Sequence, residues 1–173
     1  QVVICCDNRK YWRKEVFEFY KASRKKSREK SKFDWHYIFD MLAKFKDEIK
    51  ANMPYKVIDV EGAEADDIIG VLAPDAVMRE NVLIISSDGD FLQLQKWNTN
   101  RTKFQIKQFN PSLKKFIESE NPLNELKEKI ICGDKGDGIP NILSPSDCFV
   151  KDMRQKPITK VTMEKLMAKH YGE

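Results

Sequence analysis

Acidic residues recur in this sequence at places where they could bind metal. Asp88 and Asp90 flank a glycine in "NVLIISSDGDFLQLQ", and Asp7 closes the opening run "VVICCD". Glu64, Asp66 and Asp67 stand together in "EGAEADDIIGVLA", and Asp134 and Asp137 alternate with glycine in "CGDKGDGIP". Crowded carboxylates raise one another's pKa, and hard divalent cations relieve that repulsion by taking oxygen ligands. Two such ions about 3.5–4 Å apart suit phosphodiester hydrolysis, activating a water and stabilising the leaving oxygen. His36 and His170 lie away from every acidic stretch, so histidine-based nuclease or acyl-transfer chemistry has no support. Each stretch also has a bland explanation. "DG" is a turn dipeptide, Asp is a common N-cap, and acids at a helix start gain a few tenths to about 1 kcal/mol. That accounts for any one stretch but not for all of them together.

These acids need a frame. "VVICCD" reads as a strand, and "YWRKEVFEFYKASRKK" (Tyr11 to Lys26) as a helix with Trp12, Val16, Phe19 and Tyr20 at helical spacing. Trp12 falls on that apolar stripe and is expected in the core. A second helix, "DWHYIFDMLAKFKDEI", is capped by Asp34 and puts Ile38, Leu42, Phe45 and Ile49 on one face. "YKVIDV" is a strand, followed by a helix that starts near Glu64 and is stopped or kinked at Pro74. Val82 to Ser86 is apolar throughout rather than alternating, as in a strand buried on both faces, and a short helix around Phe91 to Leu94 follows. "RTKFQIKQF" (Arg101 to Phe109) alternates like a strand, and "PLNELKEKIICG" reads as a helix leading into "GDKGDGIP". The rest is a proline-containing loop and a basic helix running to the end.

The order β–αα–β–α–β–α predicts an α/β fold, a mostly parallel central sheet flanked by helices, with a helical C-terminal part. On a parallel sheet the strand ends share one edge, so Asp7, the Glu64 group and Asp88 can converge there. Residues 1–140 are expected to form a metal-dependent nuclease domain, and 141–173 the start of a C-terminal helical region.

A chain of 173 residues that is 41% hydrophobic can bury one substantial core. No apolar run reaches membrane-spanning length. The chain opens without Met, directly on a strand, and is expected to be a piece of a longer protein. Adjacent strand residues point to opposite faces, so Cys5 and Cys6 are poor partners for each other. No Cys/His spacing suggests zinc, and buried reduced thiols in the cytoplasm are expected. The net charge is only +4, yet "RKKSREKSK" (Arg24 to Lys32) concentrates basic residues as a phosphate-binding segment would.

Taken in order, "CCDN…YWRKEVFEFYKASR", "EGAEADDIIGVLA", "LIISSDGDFLQL" and "CGDKGDGIP" resemble the 5′-nuclease, or flap endonuclease, family across Val2 to Pro140. Within it they are most similar to the T-even phage ribonuclease H branch. The resemblance implies a PIN-like 5′-nuclease fold and a 5′-to-3′ exonuclease and flap endonuclease that removes RNA primers and adjoining DNA. It implies two Mg²⁺ ions, for which Mn²⁺ substitutes. Asp7, Glu64, Asp66 and Asp88 would hold the first ion; Asp90, Asp134 and Asp137 would serve the second, partly through water. Gly89 would let the backbone pass closely between Asp88 and Asp90. Lys21 and Arg24, in "YKASR", would reach the scissile phosphate, with Asp88 in the catalytic set. Lys25, Lys26 and Arg28 would bind nucleic acid in an arch or bridge threaded by a 5′ single strand, with Tyr11, Trp12 and Tyr20 as alternative base-stacking platforms. The implied substrates are DNA and RNA–DNA duplexes with a 5′ end or flap. The protein partners would be a single-strand-binding protein or a sliding clamp, the chain being a monomer in the host cytoplasm with no membrane partner. Two departures stand out. The earlier strand that carries the family's first metal-binding aspartate is absent, which implies that the first strand is missing from this sequence, and "NILSPSDCF" replaces the Gly-x-Gly-rich helical hairpin of many relatives.

Three rival readings share parts of the pattern. "VIDVEG" followed by "SSDGD" also resembles a Toprim site of primases and topoisomerases, with Glu61 as the key acid, but that site calls for neither Asp7 nor "GDKGD". The others are a DNA-binding replication module with a vestigial metal site and a PIN-type ribonuclease that cuts only RNA.

Overall fold

The computed structural model describes residues 1–98 and 102–172. Arg101 and Glu173, the end residues of the expected third-last element and last helix, lie outside the described residues. The chain forms two compact units. The first holds Gln1–Ile68, Lys135–Ile139 and Pro145–Arg154; the second holds Ile69–Asp134, Pro140–Ser144 and Gln155–Glu173.

In the first unit β1 (Val3–Cys6) pairs in parallel with β2 (Lys56–Asp59), Val3 opposite Lys56 and Cys6 opposite Asp59. Between them run α1 (Arg13–Val16), α2 (Ala22–Glu29) and α3 (Trp35–Asn52). Asp34 caps α3 as expected, its carboxylate accepting from the Tyr37 amide at 3.0 Å. The single helix expected over Tyr11 to Lys26 is broken instead at Phe17–Lys21. The cause is distant: the Lys21 amide donates to the Asp137 carbonyl at 2.8 Å, and Lys21 itself takes a left-handed φ of 55°. Trp12 is not core; it is 47% exposed. On α3, Ile38 and Ile49 are half-buried, whereas Leu42 and Phe45 are exposed.

The chain continues through α4 (Ala65–Ala76), which runs past Pro74 for two residues. In the second unit β3 (Val82–Ile85) pairs in parallel with β4 (Ile106–Asn110), and β4 pairs antiparallel with β5 (Lys115–Ile117), a strand too short to announce itself in the sequence. A 3-10 helix, Gly89–Trp97, follows β3; α5 (Pro122–Cys132) and α6 (Lys160–Tyr171) complete the fold. The α/β class, the parallel pairing and the helical C-terminal part hold, the strands hydrogen-bonding as a two-stranded and a three-stranded sheet. β3 is covered on one face only. Ile84 is buried while Leu83 and Ile85 are exposed, so its continuous apolar run does not mark burial on both faces.

The apolar core sits in the second unit, where Ala73, Val77, Ile84, Phe91, Leu94 and Ile106 form one buried cluster. Each large side chain in it is worth roughly 1.5–3 kcal/mol of burial. The first unit differs. Among the described residues its buried apolar groups are Tyr20, Ile68 and Cys148, and with them is buried the carboxylate of Glu64. No disulfide forms; Cys148 alone is buried, Cys5 and Cys6 are half-buried with thiol pKa values raised first by that burial, and Cys132 is exposed.

Candidate active site

In the first unit the acids gather around the start of α4. Asp7, just past β1, accepts from the Ala65 amide at 2.8 Å, which ties the end of β1 to the first turn of that helix. Glu64 precedes the helix and is 2% exposed. Its carboxylate accepts from Lys21 Nζ at 2.6 Å, Tyr20 Oη at 2.9 Å and Arg13 Nη1 at 3.1 Å. Asp67 reaches back to the Glu64 amide at 2.9 Å in a capping-box arrangement, and also accepts from Arg13 Nη1 at 2.7 Å and Trp12 Nε1 at 3.3 Å. Asp137 accepts from Arg24 Nη2 at 2.7 Å and lies 3.0 Å from Tyr20 Oη and 3.8 Å from Lys21 Nζ.

Three acidic side chains (Glu64, Asp67, Asp137) thus face three basic ones (Arg13, Lys21, Arg24), one for one. Pairing of this kind is what makes a buried charge tolerable. Tyr20, 3% exposed, has one hydroxyl proton for two carboxylate oxygens and donates to one at a time. Burial, followed by the two carboxylates, pushes its phenol well above the ordinary value. Burial acts to raise Asp67, but the Arg13 guanidinium, the Glu64 amide and the Trp12 indole together outweigh it and hold the carboxyl below the usual range.

The "GDKGDG" turn explains how Asp137 arrives there. Gly138 has a φ of +75°, and a Cβ on it would lie 3.0 Å from the Phe19 carbonyl, so only glycine lets the turn approach the Phe17–Lys21 break this closely. Arg24 seals the contact, its Nε donating to the Gly136 carbonyl at 3.2 Å.

The second unit carries its own acids. Asp88 caps the 3-10 helix, its carboxylate accepting from the Asp90 amide at 2.9 Å, which is the local turn role that any Asp-Gly can play. The buried Gln108 side chain fixes this corner, donating to the carbonyls of Asp88 at 2.6 Å and Ser86 at 3.0 Å. Gly89 is not needed for a close approach, because a Cβ there would meet open space. Lys129, from α5, pairs with Asp90 and lies 2.9 Å from Asp134. Burial pushes its ammonium pKa down, but Asp90 and Asp134 outweigh that and hold it raised.

The other expected site residues are scattered in role. Asp66 is half-buried in the first turn of α4. Lys26 pairs with Asp152, Arg28 lies over the rings of Trp35 and Phe39, and Lys25 is exposed on α2. Tyr20 is no stacking platform, since it is buried against the acids, with Tyr11 edge-on to it at 5.7 Å. Glu61, the key acid of the Toprim alternative, sits in an exposed ion pair with Lys10 at 3.4 Å. Arg13 and Lys129 are additions that spacing did not single out; a Lys or Arg on a helix reads as solvated surface until its partner is known. Asp67, grouped with Glu64 and Asp66 in the sequence but assigned no metal, joins Glu64 through Arg13.

Among the described residues no three His, Cys, Asp or Glu side chains are gathered closely enough to hold one ion. The donors are nevertheless all carboxylate oxygens, the type a hard divalent cation takes, and Lys and Arg neutralise them as they stand.

Residues 1–128 match the family of 5′-3′ exonuclease N-terminal resolvase-like domains. The chain is 40% identical to the ribonuclease H of Enterobacteria phage T4 over 152 residues, 85% of this chain and 48% of that protein. It is 31% identical to a 5′-3′ exonuclease of Buchnera aphidicola over 100 residues, 57% of this chain and 32% of the relative. It therefore spans half the length of these relatives or less. The fold is similar to that of a T5 5′-exonuclease solved with divalent zinc ions, with a TM-score of 0.64 at 17% identity over 96% of this chain and 68% of the other. With more than two thirds of its length matched to the family, the chain belongs to the 5′-3′ exonucleases, as their N-terminal resolvase-like domain.

Proposed function

We propose that this chain is the catalytic part of a metal-dependent 5′-to-3′ exonuclease and flap endonuclease. Its substrates are RNA–DNA and DNA duplexes bearing a 5′ end or flap, and its role is removal of RNA primers during phage DNA replication in the host cytoplasm. The observation that carries the reading is the convergence of Lys21 and Arg24 on Glu64 and Asp137, because such a nuclease needs phosphate-binding cations beside metal-binding acids. Membership of the exonuclease family supports it.

Asp7, Glu64, Asp66, Asp88, Asp90, Asp134 and Asp137 are the carboxylates assigned to Mg²⁺, two ions in all, with Mn²⁺ as substitute. When bound, the metal supplies an activated water and stabilises the leaving oxygen. Lys21 and Arg24 hold the reacting phosphate by exchanging a carboxylate partner for a phosphate oxygen, so their charge stays compensated throughout. Lys25, Lys26 and Arg28 neutralise neighbouring phosphates. The protein acts as a monomer, with a single-strand-binding protein or sliding clamp as its replication partner.

The test uses the full-length protein with 5′-labelled flap, nicked and RNA–DNA duplexes, with Mg²⁺ and in chelator. Release of 5′ products only with the metal is expected, and Asp88→Asn should lower turnover far more than binding. Full activity in chelator, or none with Mg²⁺, sinks the proposal.

A further inference from the structure

α2 and its C-cap Lys30 present Ser23, Lys26, Ser27 and Lys30 three and four residues apart, hence on one face. A cavity of about 470 Å³ separates this face from the segment Pro145–Arg154 of the same unit, where the half-buried ring of Phe149 forms part of the lining.

That segment is tightly folded. Cys148 is fully buried, its Sγ donating to the Met153 carbonyl at 3.1 Å, and the Met153 amide returns to the Cys148 carbonyl at 2.8 Å. The amides of Val150 and Lys151 both donate to the Asp147 carbonyl, at 3.1 and 3.0 Å. The turn leaves Asp152 at a left-handed φ of 54°, a region that Asp tolerates better than most residues, and sets its carboxylate on Lys26. Two other cations of α2 are committed elsewhere, Arg24 to Asp137 and Arg28 to the faces of Trp35 and Phe39 at 5.7 and 5.0 Å, while Lys25 also lines the cavity.

The wall formed by α2 and its C-cap carries three lysines, Lys25, Lys26 and Lys30, and two serines against the single acid Glu29, and the other carries an aromatic ring. That matches the chemistry of single-stranded nucleic acid, whose phosphates seek cations and whose bases stack. A carboxylate seated on one of those ammonium groups is a stand-in for phosphate. We propose that the cavity between α2 and the Cys148 turn takes one nucleotide unit of a single strand, and that Asp152 occupies the phosphate position on Lys26 until the strand displaces it. This rests on the nuclease reading and adds to it a bounded subsite with a competing acid supplied by the chain itself.

The test measures binding of a 5′-fluorescein oligothymidylate to the full-length protein in chelator, by anisotropy across a salt series. Asp152→Asn keeps the side-chain size and the left-handed preference while removing the charge. It should tighten binding several-fold and steepen the log–log salt slope by about 0.7, the increment for one more phosphate neutralised on a single strand. Lys26→Met should weaken binding and abolish the effect of Asp152→Asn. Phe149→Leu should weaken binding with the salt slope unchanged. Unchanged affinity and slope in Asp152→Asn, with the wild type binding the strand and cutting duplexes in Mg²⁺, overturns the subsite and leaves the nuclease reading intact. A wild type that binds no strand overturns the subsite too, and only if it also cuts nothing in Mg²⁺ does the nuclease reading fall with it.

Discussion

Replacing Tyr20 by Phe tests the acid–base cluster at its least replaceable point. The ring is 3% exposed and fills the same space in either residue, so the substitution removes only the hydroxyl that lies 2.9 Å from Glu64 and 3.0 Å from Asp137. A hydrogen bond to a charged group contributes about 1.5–3 kcal/mol. Lys21 and Arg24 remain to satisfy part of the two carboxylates, which places the expected loss near the middle of that range, about 2 kcal/mol. With a urea m-value of about 2 kcal/mol/M, the unfolding midpoint should fall by about 1 M. Circular dichroism in chelator reads this without metal complicating the result. The pH dependence gives a second readout. Because the folded phenol is raised above its unfolded value, its contribution is fully present below about pH 10 and is lost as the pH rises beyond that toward the folded value. The gap between wild type and variant should therefore be flat through neutral pH and narrow in strong alkali. A midpoint shift under about 0.25 M would mean that the hydroxyl does no more than one in water, and the cluster would not be the centre of the first unit.

Lys129→Met should destabilise the metal-free protein by about 1–2 kcal/mol, because Asp90 and Asp134 lose a shared cation, and Mg²⁺ should restore more stability to it than to the wild type in thermal melts. Asp67→Asn should lower the melting temperature above about pH 4, the unfolded carboxylate range. The difference should close as the pH falls through the depressed folded value, since a protonated Asp67 no longer pairs with Arg13. Ile106→Ala, at the 1% exposed centre of the second unit's core, should cost about 2–5 kcal/mol in urea unfolding.

The sequence was most legible where local rules and final structure agree. The Asp34 cap and the periodicity after it give α3, and the Asp88 turn closes β3 as turn chemistry dictates. The acidic stretches could be found because each follows an apolar run, and the bond from the Ala65 amide to Asp7 brings two of them together as a shared sheet edge suggests. Long-range causes were not legible. Tyr11 to Lys26 carries good helical periodicity, and what breaks it is the Asp137 carbonyl and a glycine beside it. Leu83 and Ile85 show the limit of composition: an apolar run states that a strand can be buried on both faces, not that both are covered. Lys129 and Arg13 look like ordinary helix-surface charges until their acids are located in space.

The bond between Tyr20 and Asp137 joins residues 117 positions apart, and that separation has a meaning in time. A chain made from its N-terminus presents Tyr20, Lys21 and Glu64 long before Asp137 exists. Until then Arg24 lacks its carboxylate and the Phe17–Lys21 break lacks the carbonyl that holds it open, so the local preference for a continuous helix is unopposed. Closure of so long a loop is also the slow kind of folding step. The nascent protein is thus expected to pass through a stage with an intact Tyr11–Lys26 helix and no phosphate-binding geometry, and ribosome-stalled chains ending before and after Asp137 should differ in protease cleavage at Phe17–Lys21.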